Sequence, residues 1–202
     1  GLALSLDAEA DLNVAAQYSS AEDALEDIDR VDPLLAIVDV SLPGMSGMEL
    51  IKHLQARKPD IAILVVSRHD EKLYAERSIR AGAKGYIMKL EAGDVIVKAV
   101  RQVLNGGIYV SDEINERLLM SMASGGRERI SQSPLEVLSD RELEVFELTG
   151  RGSSTRDIAE RLHLSVKTVE SYRARIKKKL NLDSATELMK HAVQWVESEG
   201  AT

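Results

Sequence analysis

Along residues 1–110, short apolar runs alternate with longer stretches in which apolar side chains recur every three or four positions. Leu12–Ala16, Leu34–Val40, Ile61–Ser67 and Gly85–Met88, with a shorter piece at Ile108–Val110, have the length and composition of strands. Ala21–Ile28, Met48–Lys58, Lys72–Ala81 and Asp94–Leu104 carry helical periodicity, and Gly1–Asp7 reads as the tail of an earlier helix. Alternation through short connections predicts a parallel sheet with helices on both faces. Functional groups of such sheets collect where strands run out into loops. After the turn signal Asn105-Gly106-Gly107, helix-compatible residues run from Asp112 to about Met122. The stretch SGGRERISQSP (124–134) then loses apolar period and gains Gly, Ser and Pro, the composition of a flexible connection. The expected division is 1–110, a linker helix and flexible linker over 111–134, and a second domain over 135–202.

The second domain reads as four helices. Ser139 with Glu142, Ser154 with Asp157, and Ser184 with Glu187 give the pattern in which a hydroxyl and a carboxylate three residues apart satisfy free N–H groups at a helix start. Ser165 caps the remaining helix but is followed by Thr168 at that spacing, and by Lys167, whose charge opposes the helix dipole. An N-terminus presented to phosphate accounts for that departure. Ser154–His163 and Ser165–Leu182 are separated by a very short turn, and Ile158, Ala159 and Leu162 supply a face for Val169 and Ile176. This is a helix-turn-helix. In its second helix Val169, Tyr172, Ile176 and Leu180 form the apolar stripe, while Lys167, Ser171, Ala174 and Lys178 stand opposite, flanked by Glu170 and Arg175. Its six basic side chains, Lys167, Arg173, Arg175, Lys177, Lys178 and Lys179, face one acid, Glu170. By itself such a helix is an ordinary solvated surface. Behind a capped helix and a tight turn, it suits a DNA major groove.

Composition sharpens this picture in two places. A hydrophobic content of 44% suffices for packed cores, and the lack of cysteine excludes disulfides and thiolate metal sites, in keeping with a cytoplasmic protein. The longest apolar run, IAILVV at 61–66, is too short to span a bilayer or serve as a signal peptide. The net charge of −7 is unevenly placed: residues 1–120 hold 20 Asp and Glu against 13 Lys and Arg, and residues 121–202 hold 13 of each. The whole acidic excess lies outside the basic helix.

Three polar residues mark strand ends in the first domain: Asp39 after LLAIV, Ser67 closing IAILVVS, and Lys89 after GYIM. A carboxylate nucleophile with a hydroxyl and an ammonium as ligands for phosphoryl oxygens makes a phosphoryl-transfer site. Each alone reads as a cap, turn residue or surface charge; together, with Pro43, Gly44 and Gly47 shaping the loop after Asp39, they are far more specific. DVSLPGMSG (39–47), VVSRHD (65–70) and AGAKGYIMK (81–89) resemble the receiver domain of two-component response regulators, a flavodoxin-like α/β fold. The resemblance implies that Asp39 accepts a phosphoryl group from a sensor histidine kinase. It further implies that Ser67 is the switch hydroxyl, Lys89 pairs with the phosphoryl group, and Tyr86 is the aromatic switch. Without it, Tyr86 is a packed strand aromatic.

The resemblance also implies Mg2+ beside the acceptor, in an intact receiver. Here the family's first strand and the acidic pair at its end are missing, so Asp39 and the Ser41 backbone are all that remain of the metal site. That strand would lie between Leu12–Ala16 and Leu34–Val40, so its absence is expected to leave a hole in the core. A chain starting at Gly1 without Met reads as clipped or truncated. Asp7, Glu9 and Asp11 read as solvated loop charges.

Residues 138–182, LSDRELEVFELTGRGSSTRDIAERLHLSVKTVESYRARIKKKLNL, closely resemble the LuxR-type DNA-binding domain. Joined to a receiver, the chain is similar to the NarL/FixJ family. By face, Lys167, Glu170, Ser171 and Ala174 are the expected base-edge residues. Ser154, Thr155, Ser165, Thr168, Arg175 and Lys178 are the expected phosphate contacts. Arg173 lies near the apolar flank as a structural residue, and His163, in the turn, is a surface or packing residue rather than a ligand. The family's dimer contact maps to Leu188, His191, Ala192 and Trp195, although a lone Trp on such a face is usually core. The resemblance implies a transcription regulator rather than an enzyme, acting as a homodimer on promoter DNA, with RNA polymerase as a further partner and no membrane association. Two competing readings are a phosphorylation-independent regulator with a degenerate receiver, and an Asp-nucleophile phosphatase. The second is weakened by Ser41, which stands where such enzymes place another Asp.

Overall fold

A computed structural model describes residues 2–68, 71–91, 93–123 and 134–199. The chain separates into two compact units, Gly1–Glu128 and Arg129–Thr202. The first contains α1 (Leu2–Asp7), α2 (Ala21–Val31), β1 (Leu35–Val38), α3 (Gly47–Arg57), β2 (Ala62–Ser67), α4 (Glu71–Ala81), β3 (Gly85–Met88), α5 (Gly93–Leu104) and α6 (Asp112–Ala123). The strands form a parallel sheet in the order β1-β2-β3, with Leu35 opposite Ala62 and Leu64 opposite Gly85. At Ile108–Val110 only a single parallel bridge forms, Tyr109 to Gly85.

β2 lies in the middle and is the most deeply buried strand, with Ile63, Leu64 and Val65 wholly covered. Leu64 and Val66 join Ile87 and the α5 residues Ile96, Val97, Ala99, Val100 and Val103 in one core cluster. The stretch Leu12–Ala16, expected as a strand, joins no ladder among the described residues. A strand exists only through its ladder, and the neighbouring strand that the resemblance supplies is not among these residues. Leu12 and Val14 nevertheless pack on the core, as does Leu2 of α1. The expected hole is therefore partly closed, yet Leu35, Ala36 and Ile37 of β1 stay only half-buried along an open edge. Asp7 and Asp11 are exposed and Glu9 is half-buried, and all three carboxylates have partners. The Asp7 carboxylate accepts from the Val14 N–H at 2.8 Å, and Glu9 and Asp11 each meet the Arg101 guanidinium at 2.6 Å.

The linker expected over 124–134 lies outside the described residues except for Pro134, which opens a 3-10 turn, Pro134–Val137. The helix before it, α6, docks on α4. Ile114 is buried, Arg117 donates to the Lys72 carbonyl at 3.2 Å, and Lys72 faces Glu113 at 3.7 Å.

The second unit contains α7 (Asp140–Gly150), α8 (Thr155–Arg161), α9 (Val166–Leu180) and α10 (Ala185–Glu199). Full reciprocal capping boxes start α7, through Ser139 and Glu142, and α8, through Ser154 and Asp157. At α10 the Ser184 hydroxyl accepts from the Glu187 N–H, while the Glu187 carboxylate reaches the N–H of Asp183. α10 packs closely along α7: a Cβ on Gly150 would sit 2.2 Å from the Ala192 carbonyl oxygen, and the Phe146 and Trp195 rings lie 5.9 Å apart. Among the described residues, no helix is long and apolar enough to cross a membrane.

Candidate phosphoryl-acceptor site and nucleic-acid interface

Asp39 follows β1, Ser67 closes β2 and Lys89 follows β3, so the sheet carries all three to one rim. The Lys89 ammonium donates to the Asp39 carboxylate at 2.5 Å, and the Lys89 N–H donates to the Ser67 carbonyl at 2.7 Å. The other Asp39 oxygen accepts from the Ser41 N–H at 3.2 Å. Asp39 keeps partial solvent access, as an acceptor of a group from outside requires, whereas Ser67 is 0% and Tyr86 2% exposed. His69 and Asp70 of the VVSRHD motif lie outside the described residues.

The loop after Asp39 is held by sterics and by one distant carboxylate. Gly44 has φ +69°, and Glu22 of α2 accepts the Met45 N–H at 2.9 Å. A Cβ on Gly47 would lie 1.9 Å from the Asp39 carbonyl oxygen. Only glycine lets α3 start that close to the acceptor, and the Ser46–Glu49 capping box fixes the start. Glu22 carries no sequence signal for this role, because its partner is 23 positions away.

For Mg2+, these residues supply one carboxylate and the main chain near Ser41. Among the described residues no three His, Asp or Glu side chains converge to hold a metal ion. A cation that takes six oxygens in near-octahedral array is not fitted by this donor set alone.

In the second unit, α8 and α9 meet through a tight turn. His163 adopts the left-handed conformation at φ 54°, while the Leu164 N–H reaches back to the Ala159 carbonyl at 2.8 Å. Ile158, Ala159, Val169 and Ile176 are buried between the helices. His163 itself is exposed, as a surface residue. Lys167, Glu170, Ser171 and Ala174 are exposed on one side of α9, as are Arg175 and Lys178. The Ser171 hydroxyl donates to the Lys167 carbonyl at 2.9 Å, which leaves its lone pairs outward. At the start of α9 the Ser165 hydroxyl accepts from the Thr168 N–H at 3.0 Å, and the two hydroxyls meet at 2.7 Å. Ser165, Lys167, Thr168, Ser171, Tyr172 and Arg175 line a shallow concavity there. Ser154 is exposed at the start of α8, and the Thr155 hydroxyl beside it accepts a bond from Arg173.

Two of the six basic residues of α9 are engaged by other helices of the unit. The Lys179 ammonium donates to Glu142 at 2.6 Å, and Glu142 is 3% exposed. Burial alone raises the Glu142 pKa, but the Lys179 ammonium and the Ser139 N–H outweigh it and hold the carboxyl below its usual range. Arg173 is half-buried and turned toward Thr149 and Thr155. The signal for Lys179 was present, since it stands three residues after Ile176 and seven after Tyr172, on the apolar side.

The four residues assigned to a dimer contact divide. Leu188 and Ala192 are 2% and 0% exposed and fill the core of this unit, so they are not available to a partner. His191 is exposed, and Trp195, its ring tilted 47° to that of Phe146, is half-buried.

A three-stranded parallel sheet with an aspartate-lysine rim, in one chain with a four-helix unit built on a helix-turn-helix, defines a receiver coupled to a DNA-binding module. Comparison with known proteins agrees: the response regulator receiver domain matches residues 1–101, and the luxR family of bacterial regulatory proteins matches residues 136–192. The transcriptional regulatory protein DegU of Brevibacillus brevis is 30% identical over 202 residues, covering 93% of this chain and 86% of that protein. The oxygen regulatory protein NreC of Staphylococcus epidermidis is 33% identical over 198 residues, covering 96% and 91%. The fold matches the RcsB response regulator of Salmonella typhimurium with a TM-score of 0.64 at 23% identity, over 95% of this chain and 88% of that one. The chain belongs to the NarL/FixJ family of two-component response regulators.

Proposed function

We propose that a sensor histidine kinase transfers a phosphoryl group to Asp39, and that the modification controls binding of promoter DNA by α9. The observation that carries this reading is the rim itself, where the half-exposed Asp39 carboxylate lies 2.5 Å from the Lys89 ammonium. An Asp39 oxygen attacks phosphorus, the donor leaves as the neutral imidazole of the kinase, and the new acyl phosphate carries the transferred charge. Lys89 exchanges its carboxylate contact for a phosphoryl oxygen and stabilises that charge. Ser67 turns its hydroxyl to the phosphoryl group, and Tyr86 follows into the space released. The change is a population shift, effective because the phosphoryl group is bound better in one state.

At the output, Lys167, Glu170, Ser171 and Ala174 read base edges, while Ser154, Thr155, Ser165, Thr168, Arg175 and Lys178 grip phosphates. Two copies on repeated half-sites fit such a module, with His191 and the exposed flank of Trp195 at the contact. The protein works in the cytoplasm, with RNA polymerase as a further partner. Relatives named as transcriptional and oxygen regulatory proteins support the reading. A phosphorylation-independent regulator is the second reading, the one to hold if no acidic pair accompanies Asp39.

Incubation with a small phosphodonor, with and without Mg2+, followed by intact mass tests the choice. A stable adduct of one phosphoryl group, lost in Asp39→Asn, is the expected result. No adduct under either condition selects the second reading, and steady turnover of phosphoester substrates would reject both.

A further inference from the structure

Arg173 is a half-buried guanidinium of the second unit. It lies on the flank of α9, four residues after Val169 and three before Ile176, so half of it is buried. Its Nη1 donates to the Thr155 hydroxyl at 2.6 Å, in the first turn of α8. Its Nη2 donates to the Thr149 hydroxyl at 3.2 Å, near the end of α7. Thr149 is itself fixed, since its hydroxyl donates to the Val145 carbonyl at 2.7 Å. One guanidinium therefore ties three helices together through their side chains.

The arrangement is poor for stability. The Arg173 Nε–H is buried with no acceptor, and both of its partners are neutral hydroxyls rather than carboxylates. Desolvation lowers the Arg173 pKa, and only the nearby charge of Glu170 opposes it. An apolar side chain of similar length would pack there without these penalties. Fork geometry is what an apolar residue lacks. Two fixed hydroxyls, on α7 and α8, accept from one planar group, so α9 has a defined rotation about its own axis.

That rotation sets what α9 reads. Side-chain tips lie roughly 6 Å from a helix axis, so a turn of about 20° moves them by about 2 Å, enough to break a base-edge hydrogen bond. We infer that Arg173 is a positioning residue for DNA discrimination: its bonds to Thr149 and Thr155 fix the rotation of α9, and it contacts no DNA itself. The inference rests on the reading of α9 as the recognition helix.

The test uses the full chain and the duplex that wild-type protein enriches from a randomised pool, compared with a scrambled duplex over a range of salt. Arg173→Met is expected to keep or raise the thermal midpoint while the ratio of specific to scrambled affinity falls about tenfold. The slope of log affinity against log salt should stay unchanged, because no phosphate contact is lost. Thr149→Val should lower the same ratio, and the double variant should lose little more than either single one. A salt slope reduced by about one would overturn the inference in favour of a direct phosphate contact. So would a lower thermal midpoint with equal loss on both duplexes, which marks a packing role. If wild-type protein enriches no duplex, the DNA-binding reading itself has failed, an outcome distinct from an unaltered ratio in Arg173→Met.

Discussion

At the scale of single residues, exposure alone does not distinguish the roles on α9; the position of each cation along the helix does. Lys167 stands in the first turn, beside Ser171 and the concavity at the start of α9, while Lys178 stands near its end. Lys167→Ala is expected to relax sequence preference, because a base-edge donor is lost. Lys178→Ala is expected to weaken binding to all duplexes alike and to reduce the salt slope by about one, measured by titration at several ionic strengths. Arg173 and Lys179 show how far such assignments can be read in a sequence. A helical wheel places both near the apolar stripe, but which acceptors they meet depends on Thr149, Thr155 and Glu142, which lie 18 to 37 positions away. The acceptor rim was more legible, since strand ends alone locate Asp39, Ser67 and Lys89. Glu22, 23 positions before the amide it holds, was not.

At the scale of elements, turn chemistry decides where helices stop and how tightly they join. His163 occupies a left-handed position between α8 and α9, where a β-carbon is a steric cost. His163→Gly is expected to stabilise the second unit by about 1 kcal/mol, read from the urea midpoint, with little change in DNA affinity. Elements with strong periodic signals were legible nearly to the residue. β3 forms at Gly85–Met88 as expected, and α5 begins one position early, at Gly93. The stretch Leu12–Ala16 failed for a definable reason. Alternation reports which side chains face a core, and Leu12 and Val14 do face it, but it carries no information on whether a neighbouring strand offers hydrogen bonds. Leu188 and Ala192 failed differently: an apolar stripe on a terminal helix suits either a partner or its own core, and Gly150 lets α10 approach α7 closely enough to take them inside.

At the scale of the molecule, the second of the two units carries its own dependence on pH. In the second, Glu142 joins the cap of α7 to Lys179 of α9, and its folded pKa lies below the ordinary value of 4.5. A group lowered by folding contributes stability that is fully present above its unfolded pKa and lost as pH falls through the folded one. The second unit should therefore hold a constant urea midpoint above about pH 5 and lose stability below it. Glu142→Gln should be less stable at neutral pH and show a flatter acid limb. In the first unit the parallel sheet ends at β1, whose outer edge is unpaired among the described residues and whose flanking Leu34 is 80% exposed. Main-chain donors and acceptors left along such an edge form a template that any extended apolar segment can extend. For residues 1–202 as a free chain, the consequence is colloidal: Leu-Ala-Ile-Val at the border of the sheet is the place where aggregation would nucleate, and supplying one strand in trans is the way to suppress it.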